Sequence, residues 1–244
     1  MDRRWLPGHE LTPLAEYRLF CLPYAGGAAA IYRNWRYAAP GHIQVCALEL
    51  PGRGSRSRET PFRSMAPLVK ELAAALEDAL DRPFALFGHS MGGLIAFELA
   101  RTLREQGAPQ PVQLFVSAAA APGTVSPEPP LHRAAEADIR QRLRTLNGTP
   151  EELLADDELM TLMLPVLRAD FAILETYEYR DEPPLDVPIT VFAGQGDRTV
   201  PPAAVSGWRT QSTRGSQVRI FPGDHFFLNS AAGDILGEIT HALG

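Results

Sequence analysis

One serine stands in a sequence pattern that is typical of an activated nucleophile. Ser90 is the central residue of Gly88-His89-Ser90-Met91-Gly92, which has the spacing Gly-x-Ser-x-Gly. The apolar run at residues 84–87 predicts a strand, and the residues from there to Gly107 have apolar side chains at helical spacing. A sharp turn from strand to helix lifts the serine off the sheet and places its backbone at the positive end of the helix. The pattern therefore predicts a nucleophile elbow that carries Ser90.

Two further residues with suitable chemistry follow the ends of predicted strands. Asp197 comes after the apolar run 187–192, and His225 comes after the run 217–221. Serine, acid and histidine thus occur in the chain order of an α/β-hydrolase triad, in which His225 would accept the proton of Ser90 and Asp197 would orient the imidazole. Taken singly, Asp197 fits a turn former and His225 an ordinary surface or core residue. Their joint order favours the catalytic interpretation, with Asp224 as the alternative acid.

A glycine-containing loop early in the chain predicts a donor for an oxyanion hole. The strand predicted over residues 17–22 runs directly into Pro23-Tyr24-Ala25-Gly26-Gly27. α/β-Hydrolases place their second oxyanion donor in a loop of this kind. We therefore predict that the N–H of Ala25 is this donor, with the N–H of Gly26 as second choice. A plain glycine turn is the alternative, and only the downstream elbow disfavours it.

Strands and helices alternate along most of the chain. Strands are predicted over residues 17–22, 43–50, 84–87, 112–118, 187–192 and 217–221, and helices over residues 31–39 and 64–80 and from the elbow to Gly107. Ser64 is the predicted N-cap of the second helix. Regular alternation requires a mostly parallel sheet with right-handed crossovers. The fold class is therefore α/β, an α/β-hydrolase fold with a mostly parallel central sheet flanked by helices.

The alternation is interrupted between residues 122 and 184, where the chain is proline-punctuated and helical. The apolar stripe of its long final helix consists of Leu159, Leu162, Met163, Val166, Leu167, Phe171 and Leu174. Such a stripe is usually core. Inserted between two sheet strands, it favours a helical lid that caps the site and builds an acyl-sized pocket. Pro165 predicts a kink or a break in this helix.

Composition limits the alternatives further. The 244 residues, 45% hydrophobic and 21% charged, fit a single globular domain over residues 1–244. No apolar run approaches a membrane span and no secretory signal is evident, so a cytoplasmic protein is predicted. Cys21 and Cys46 lie in apolar runs and are predicted to be buried free thiols. The net charge of −6 gives no reason to expect nucleic acid or an anionic membrane as partner. The arginine-rich loop at residues 53–58 is either a contact for a phosphate or an acidic partner, or a solvated loop.

Several motifs resemble those of the type II thioesterases, the discrete editing hydrolases of polyketide and nonribosomal peptide synthases. The resemblance covers residues 17–235 and is carried by Leu22-Pro23-Tyr24-Ala25-Gly26-Gly27, Leu50-Pro51-Gly52-Arg53-Gly54, the elbow, Arg168-Ala169-Asp170-Phe171 and Gly223-Asp224-His225-Phe226-Phe227. It implies an α/β-hydrolase with a helical lid that hydrolyses acyl groups from the phosphopantetheine arm of carrier proteins.

The same resemblance implies roles for individual residues. Ser90, Asp197 and His225 would form the catalytic triad, and the N–H groups of Ala25 and Met91 would form the oxyanion hole. No cofactor or metal is implied, because phosphopantetheine belongs to the carrier protein. An acyl or peptidyl carrier protein would be the partner of a monomeric enzyme, with Arg53 and the lid arginines (Arg140, Arg142, Arg144) as contacts to an acidic carrier.

Two other functions remain open at this point. A carboxylesterase or acyltransferase would use the same scaffold and the same triad. A catalytically silent binding module would use the fold alone, since a fold does not determine a function.

Overall fold

Six parallel strands form one sheet in the computed structural model, which describes residues 2–8, 11–124 and 129–244. The strands are β1 (Tyr17–Leu22), β2 (Ile43–Ala47), β3 (Phe84–His89), β4 (Gln113–Ser117), β5 (Ile189–Gly194) and β6 (Ser216–Phe221). They lie in the order β2-β1-β3-β4-β5-β6, and every neighbouring pair is parallel. All strands therefore end at the same edge of the sheet, and the predicted α/β fold is confirmed.

Helices cover both faces of this sheet. They are α1 (Trp35–Ala38), α2 (Met65–Leu76), α3 (Met91–Glu105), α4 (Glu136–Leu146), α5 (Glu151–Leu154), α6 (Asp157–Glu175), α7 (Phe227–Ser230) and α8 (Ala232–Leu243). Helices α2 and α3 pack on one face, and α1 and α8 pack on the other. Because strand side chains alternate between faces, Phe20 and Leu22 join the first core and Leu19 and Cys21 the second. Central strands buried on both faces explain the continuous apolar runs of the sequence.

Helices α4, α5 and α6 lie between β4 and β5, within the segment predicted as a lid. Residues 125–128 of that segment lie outside the described residues. The apolar residues Ile139, Leu143, Leu154, Met160, Leu167 and Phe171 pack together, and we refer to them as the lid cluster. The spacing of Leu162 predicts that it belongs to the buried stripe of α6. This prediction is wrong, because Leu162 faces outward and is 75% exposed.

Helix α6 continues through Pro165, so of the kink or break predicted at this residue the break does not occur. Proline removes one helical hydrogen bond and leaves the carbonyl of Thr161 without its usual donor. Pro165 and Thr161 are both exposed, so water can solvate that carbonyl. The N-cap of this helix is Asp156, whose carboxylate accepts a hydrogen bond from the N–H of Leu159 at 2.9 Å.

Several element boundaries differ from the sequence predictions. The predicted helix over residues 31–39 is a 3-10 turn (Ala29–Tyr32) followed by the short α1. The strand predicted to reach residue 50 ends at Ala47, because the N–H of Glu49 turns to the carbonyl of Trp5. Strand β5 begins two residues later than predicted, after Pro188, which has no N–H for the ladder. Ser64 precedes α2 but its side chain makes no cap hydrogen bond.

Two predictions about composition can be compared with the structure. Cys21 and Cys46 are free and buried, as predicted. No helix in the described ranges combines the length and apolar character that crossing a membrane requires.

The tight packing of Gly88 leads to a prediction about stability. A Cβ added to Gly88 would lie 1.9 Å from the carbonyl oxygen of Gly92, which is backbone and cannot move aside. We expect Gly88→Ala to lower the free energy of unfolding by about 3 kcal/mol or more. Gly237 lies at an exposed position of α8, and a Cβ added to it would have no atom within 4 Å. Gly237→Ala should therefore raise stability by about 0.5–1 kcal/mol. Urea unfolding of the two variants measures both effects, and equal stabilities would contradict the prediction.

Candidate active site

Ser90 connects β3 to α3 in a strained backbone conformation. Its φ is 54° and its ψ is −119°, a region that residues with a side chain rarely adopt. The N–H of Ser90 donates to the carbonyl of Ser117 at the end of β4, at 2.7 Å. Glycine at positions 88 and 92 removes side chains that would collide with the backbone of the turn. The sequence pattern is thus realised as the predicted elbow, with a half-buried serine at the sheet edge.

His225 and Asp197 complete a hydrogen-bonded line with Ser90. Nε2 of His225 lies 3.0 Å from Oγ of Ser90, and Nδ1 of His225 lies 2.8 Å from Oδ2 of Asp197. A carboxylate can only accept, so Nδ1–H donates to Asp197 and Nε2 is left to accept the proton of Ser90. This is the tautomer that a general base for Ser90 needs.

Asp197 is held as a carboxylate. Its second oxygen accepts hydrogen bonds from the N–H groups of Thr199 at 2.8 Å and Val200 at 2.9 Å. Burial alone would raise the pKa of Asp197, but the hydrogen bond and charge of His225 together with these two N–H groups outweigh it and lower the pKa. The carboxylate stays charged and can stabilise an imidazolium.

Asp224, the alternative acid, makes other contacts. One of its oxygens accepts from the amide of Asn147 in the lid at 2.8 Å, and the other accepts from the N–H of Phe226 at 2.9 Å. The Nδ1 of His225 is bonded to Asp197 and not to Asp224. The geometry therefore favours Asp197 as the acid.

The two predicted oxyanion donors are unpaired. Among the hydrogen bonds of the described residues, neither the N–H of Ala25 nor that of Met91 has an acceptor. The N–H of Gly26, the second choice, donates to Oδ2 of Asp170 at 2.7 Å. Ala25 and Met91 therefore have the available donors, and Gly26 does not.

Comparison with known proteins identifies the family. The sequence matches the model of the Thioesterase domain family over residues 17–243. The chain belongs to this thioesterase family. Three similar proteins come from biosynthetic pathways.

These similar proteins cover nearly the whole thioesterase. The chain is 42% identical over 225 residues to the gramicidin S biosynthesis protein GrsT of Aneurinibacillus migulanus, which covers 92% of this chain and 88% of GrsT. Its structure is similar to that of RedJ, a thioesterase from the prodiginine biosynthetic pathway in Streptomyces coelicolor, with a TM-score of 0.89, 36% identity and 99% of both chains covered. It is also similar to BorB, the type II thioesterase from the borrelidin biosynthetic cluster, with a TM-score of 0.89, 35% identity and 99% and 98% of the two chains covered.

The sequence prediction missed the part that His89 plays in the thioesterase. This residue is fully buried, with Nε2 2.9 Å from the carbonyl oxygen of His225 and Nδ1 2.9 Å from Oγ of Ser117. A carbonyl can only accept, so Nε2–H donates to His225 and Nδ1 accepts from the Ser117 hydroxyl. His89 and Ser117 are direct partners in the register of β3 and β4, which sequence alone does not reveal. The neutral imidazole therefore links the elbow strand to the loop of His225.

Two of the three arginines in the loop at residues 53–58 are structural, which corrects the sequence interpretation for Arg53 and Arg56, whereas Arg58 is exposed. Arg53 is only 7% exposed and pairs with Asp170 of α6, and Arg56 is buried against Trp5 and pairs with Glu59. Neither is a solvated side chain available to a phosphate. The lid arginines Arg140 and Arg144 form ion pairs within the lid, and contact between the lid arginines and a carrier stays a prediction. No group of side chains in the described residues is arranged to hold a metal ion.

The environment of His89 predicts how stability depends on pH. Burial, followed by the nearby charge of His225, lowers the pKa of His89 to about 3. In the unfolded chain His89 binds a proton near pH 6.5, whereas in the folded chain it stays neutral. The contribution of neutral His89 to the free energy of unfolding is therefore complete above pH 6.5 and is lost as the pH falls toward about 3. Between pH 7 and pH 5 the wild type should lose roughly 2 kcal/mol of unfolding free energy through this residue. His89→Gln, which keeps a donor and an acceptor, should show a loss smaller by that amount in urea titrations. Equal losses in both proteins would exclude His89 as the source.

Proposed function

We propose that this thioesterase is an editing type II enzyme that hydrolyses acyl thioesters from the phosphopantetheine arm of carrier proteins. The observation that carries the proposal is the hydrogen-bonded line of Ser90, His225 and Asp197 beside the unpaired N–H groups of Ala25 and Met91. The similarity to proteins of gramicidin S, prodiginine and borrelidin biosynthesis supports the substrate class. We infer that it acts as a cytoplasmic monomer, and that the reaction needs no cofactor on the enzyme.

The first half of the reaction forms an acyl-enzyme. Oγ of Ser90 attacks the thioester carbonyl while Nε2 of His225 takes its proton, and the C=O electron pair moves onto oxygen. The N–H groups of Ala25 and Met91 donate to this oxyanion. The C–S bond then breaks, and the pantetheine sulfur leaves with the proton of His225. A thiol of pKa about 8.5 is a far better leaving group than an amine, so little acid assistance is needed.

The second half releases the acid. Water attacks the acyl-serine as Nε2 of His225 removes one of its protons, and the same N–H groups hold the second oxyanion. The C–O bond to Ser90 breaks, and Oγ regains the proton from His225. Asp197 keeps its negative charge throughout and stabilises the transient imidazolium.

The lid supplies the apolar surroundings that an acyl chain requires. Ala25 is half-buried and packs both against the lid cluster and against the core on the α2 and α3 face of the sheet. An acyl group whose carbonyl oxygen reaches the N–H of Ala25 would therefore lie close to the lid cluster. We propose that the pantetheine arm enters beneath the lid, with the carrier protein docked outside it.

Acid release from acyl-phosphopantetheinyl carrier protein tests the function. We expect the wild type to release short and long acyl groups, and Ser90→Ala to lower kcat about 10³-fold or more, because the remaining groups give only residual catalysis. Ser64→Ala is the matched control, since Ser64 is exposed and its hydroxyl caps no helix in the structure. Absence of release together with hydrolysis of p-nitrophenyl esters would instead identify a small-molecule carboxylesterase. Absence of both reactions and of fluorophosphonate labelling at Ser90 would identify a silent binding module.

Replacement of each candidate acid by asparagine distinguishes their roles. Asp197→Asn should lower kcat about 10⁴-fold, because an amide at this position favours the wrong tautomer of His225. Asp224→Asn should keep activity within about fivefold, because losing an exposed hydrogen bond costs at most about 1 kcal/mol. Steady-state kinetics on one carrier substrate measures both variants. A greater loss in Asp224→Asn than in Asp197→Asn would reverse the assignment.

A further inference from the structure

A buried ion pair joins the lid helix to the loop that carries Ala25. Asp170 of α6 has no exposed surface, and Arg53 is 7% exposed. Their contact is bidentate, with Nη1 of Arg53 2.6 Å from Oδ2 of Asp170 and Nη2 2.7 Å from Oδ1. Burial of an ion pair costs free energy unless each of its lone pairs and protons has a hydrogen-bond partner. Apolar residues of similar size at the same positions often stabilise a protein equally well. The pair therefore suggests a requirement beyond packing.

The same carboxylate also holds the backbone of the loop. Oδ2 of Asp170 accepts a hydrogen bond from the N–H of Gly26 at 2.7 Å, in addition to the one from Arg53. This N–H belongs to the peptide group between Ala25 and Gly26. Fixing its direction limits the rotations that are open to Ala25, whose own N–H has no acceptor in the described residues.

Other contacts fix the rest of this loop but leave Ala25 out. The N–H of Gly27 donates to the carbonyl of Tyr24 at 2.9 Å, and its own carbonyl accepts from Arg53 at 3.3 Å. The N–H of Ala29 donates to Oε1 of Glu49 at 3.0 Å. Asp170 is thus the group that holds the peptide directly after Ala25.

The lid helix approaches this loop closely. Gly26 has a φ of +77°, and a Cβ on it would lie 2.8 Å from Cδ2 of Leu167, one turn before Asp170. A glycine at this position permits both the left-handed conformation and the contact with α6. Helix and loop therefore form one packed unit.

We propose that Asp170 is a positioning residue for the oxyanion hole, which aims the N–H of Ala25 by holding the next peptide group. The inference rests on the proposed role of Ala25 as oxyanion donor. Arg53 balances the charge of Asp170, so that the carboxylate remains a strong acceptor in a buried position. Through this contact the position of α6 is coupled to the geometry of the reaction.

Asp170→Asn is the direct test. An amide at this position can still accept from Gly26, but its NH₂ group faces the donors of Arg53, so the contact must rearrange. Removal of a whole oxyanion donor costs roughly 10²–10³ in kcat, so a misaimed donor should cost about 10–100-fold. KM should change little, because the donor acts on the transition state.

Two further readouts separate positioning from mere stability. Labelling of Ser90 by a fluorophosphonate places a phosphoryl oxygen in the oxyanion hole, so its rate should fall in parallel with kcat. The inhibition constant of an acyl trifluoromethyl ketone, whose adduct carries an oxyanion, should rise by a similar factor. Asp170→Glu, which keeps the charge but moves the carboxylate by one methylene, should show the same pattern.

Asp81→Asn is the control for loss of an arginine partner away from the site. Asp81, whose side chain is 55% exposed, pairs with the buried Arg18 at the opposite edge of the sheet, where the strands begin. This variant should lose thermal stability but label at the wild-type rate. A folded Asp170 variant that also labels at the wild-type rate would overturn the proposal. Failure of both Asp170 variants to fold would assign Asp170 to stability alone and overturn the proposal equally.

The labelling experiment is independent of the natural substrate. If the wild type releases no acid from carrier proteins but labelling still slows in Asp170→Asn, the proposed substrate is wrong and the role of Asp170 stands. If the wild type releases acid from carrier proteins but Asp170→Asn is labelled at the wild-type rate, the proposed substrate stands and the role of Asp170 is wrong.

Discussion

The close approach of three backbone segments at the elbow is the constraint on which the rest of the site depends. A Cβ at Gly88 would collide with Gly92, and a Cβ at Gly92 would lie 2.2 Å from the carbonyl oxygen of Leu22 at the end of β1. The second contact is as important as the first. It brings the N-terminus of α3, which carries Met91, against the strand that leads into Ala25. Two glycines in one motif thus permit the strained serine and also bring the two unpaired N–H groups together.

Both neutral and charged groups make the hydrogen bonds that hold the loops at this edge of the sheet. Ser117 accepts the N–H of Ser90 with its carbonyl and donates its hydroxyl to His89, which in turn donates to the carbonyl of His225. Every member of this chain is uncharged, as suits a site buried between two cores, where an unpaired charge is costly. Two charged groups at this edge, Asp197 and the pair of Arg53 with Asp170, are each held by several hydrogen bonds.

Local patterns allowed the elbow, the six strands and the order of the triad residues to be predicted, because each depends on residues adjacent in sequence. The same patterns misplaced contacts that depend on distant residues. From local sequence, Arg53 is interpreted either as a contact for a phosphate or an acidic partner or as part of a solvated loop, because its actual partner lies 117 residues away in α6. Leu162 had the spacing of a buried residue but is 75% exposed, whereas Asp170, although charged, has no exposed surface. Helical periodicity shows which residues share a face but not which polar partner that face will meet.

Among the described residues, the lid contacts the site at two places that differ in strength. At one end, Asp170 is bound by a buried bidentate ion pair and a backbone N–H. At the other, beyond α4, Asn147 makes one exposed hydrogen bond to Asp224, and Gly148 packs against Phe226 beside His225. An exposed neutral hydrogen bond contributes only about 1 kcal/mol, whereas breaking a buried pair leaves two uncompensated charges. Opening should therefore start where the turn between α4 and α5 meets the loop of His225, while α6 stays with the loop of Ala25. A carrier-bound substrate could then reach Ser90 without disturbing the N–H groups that must receive its oxyanion.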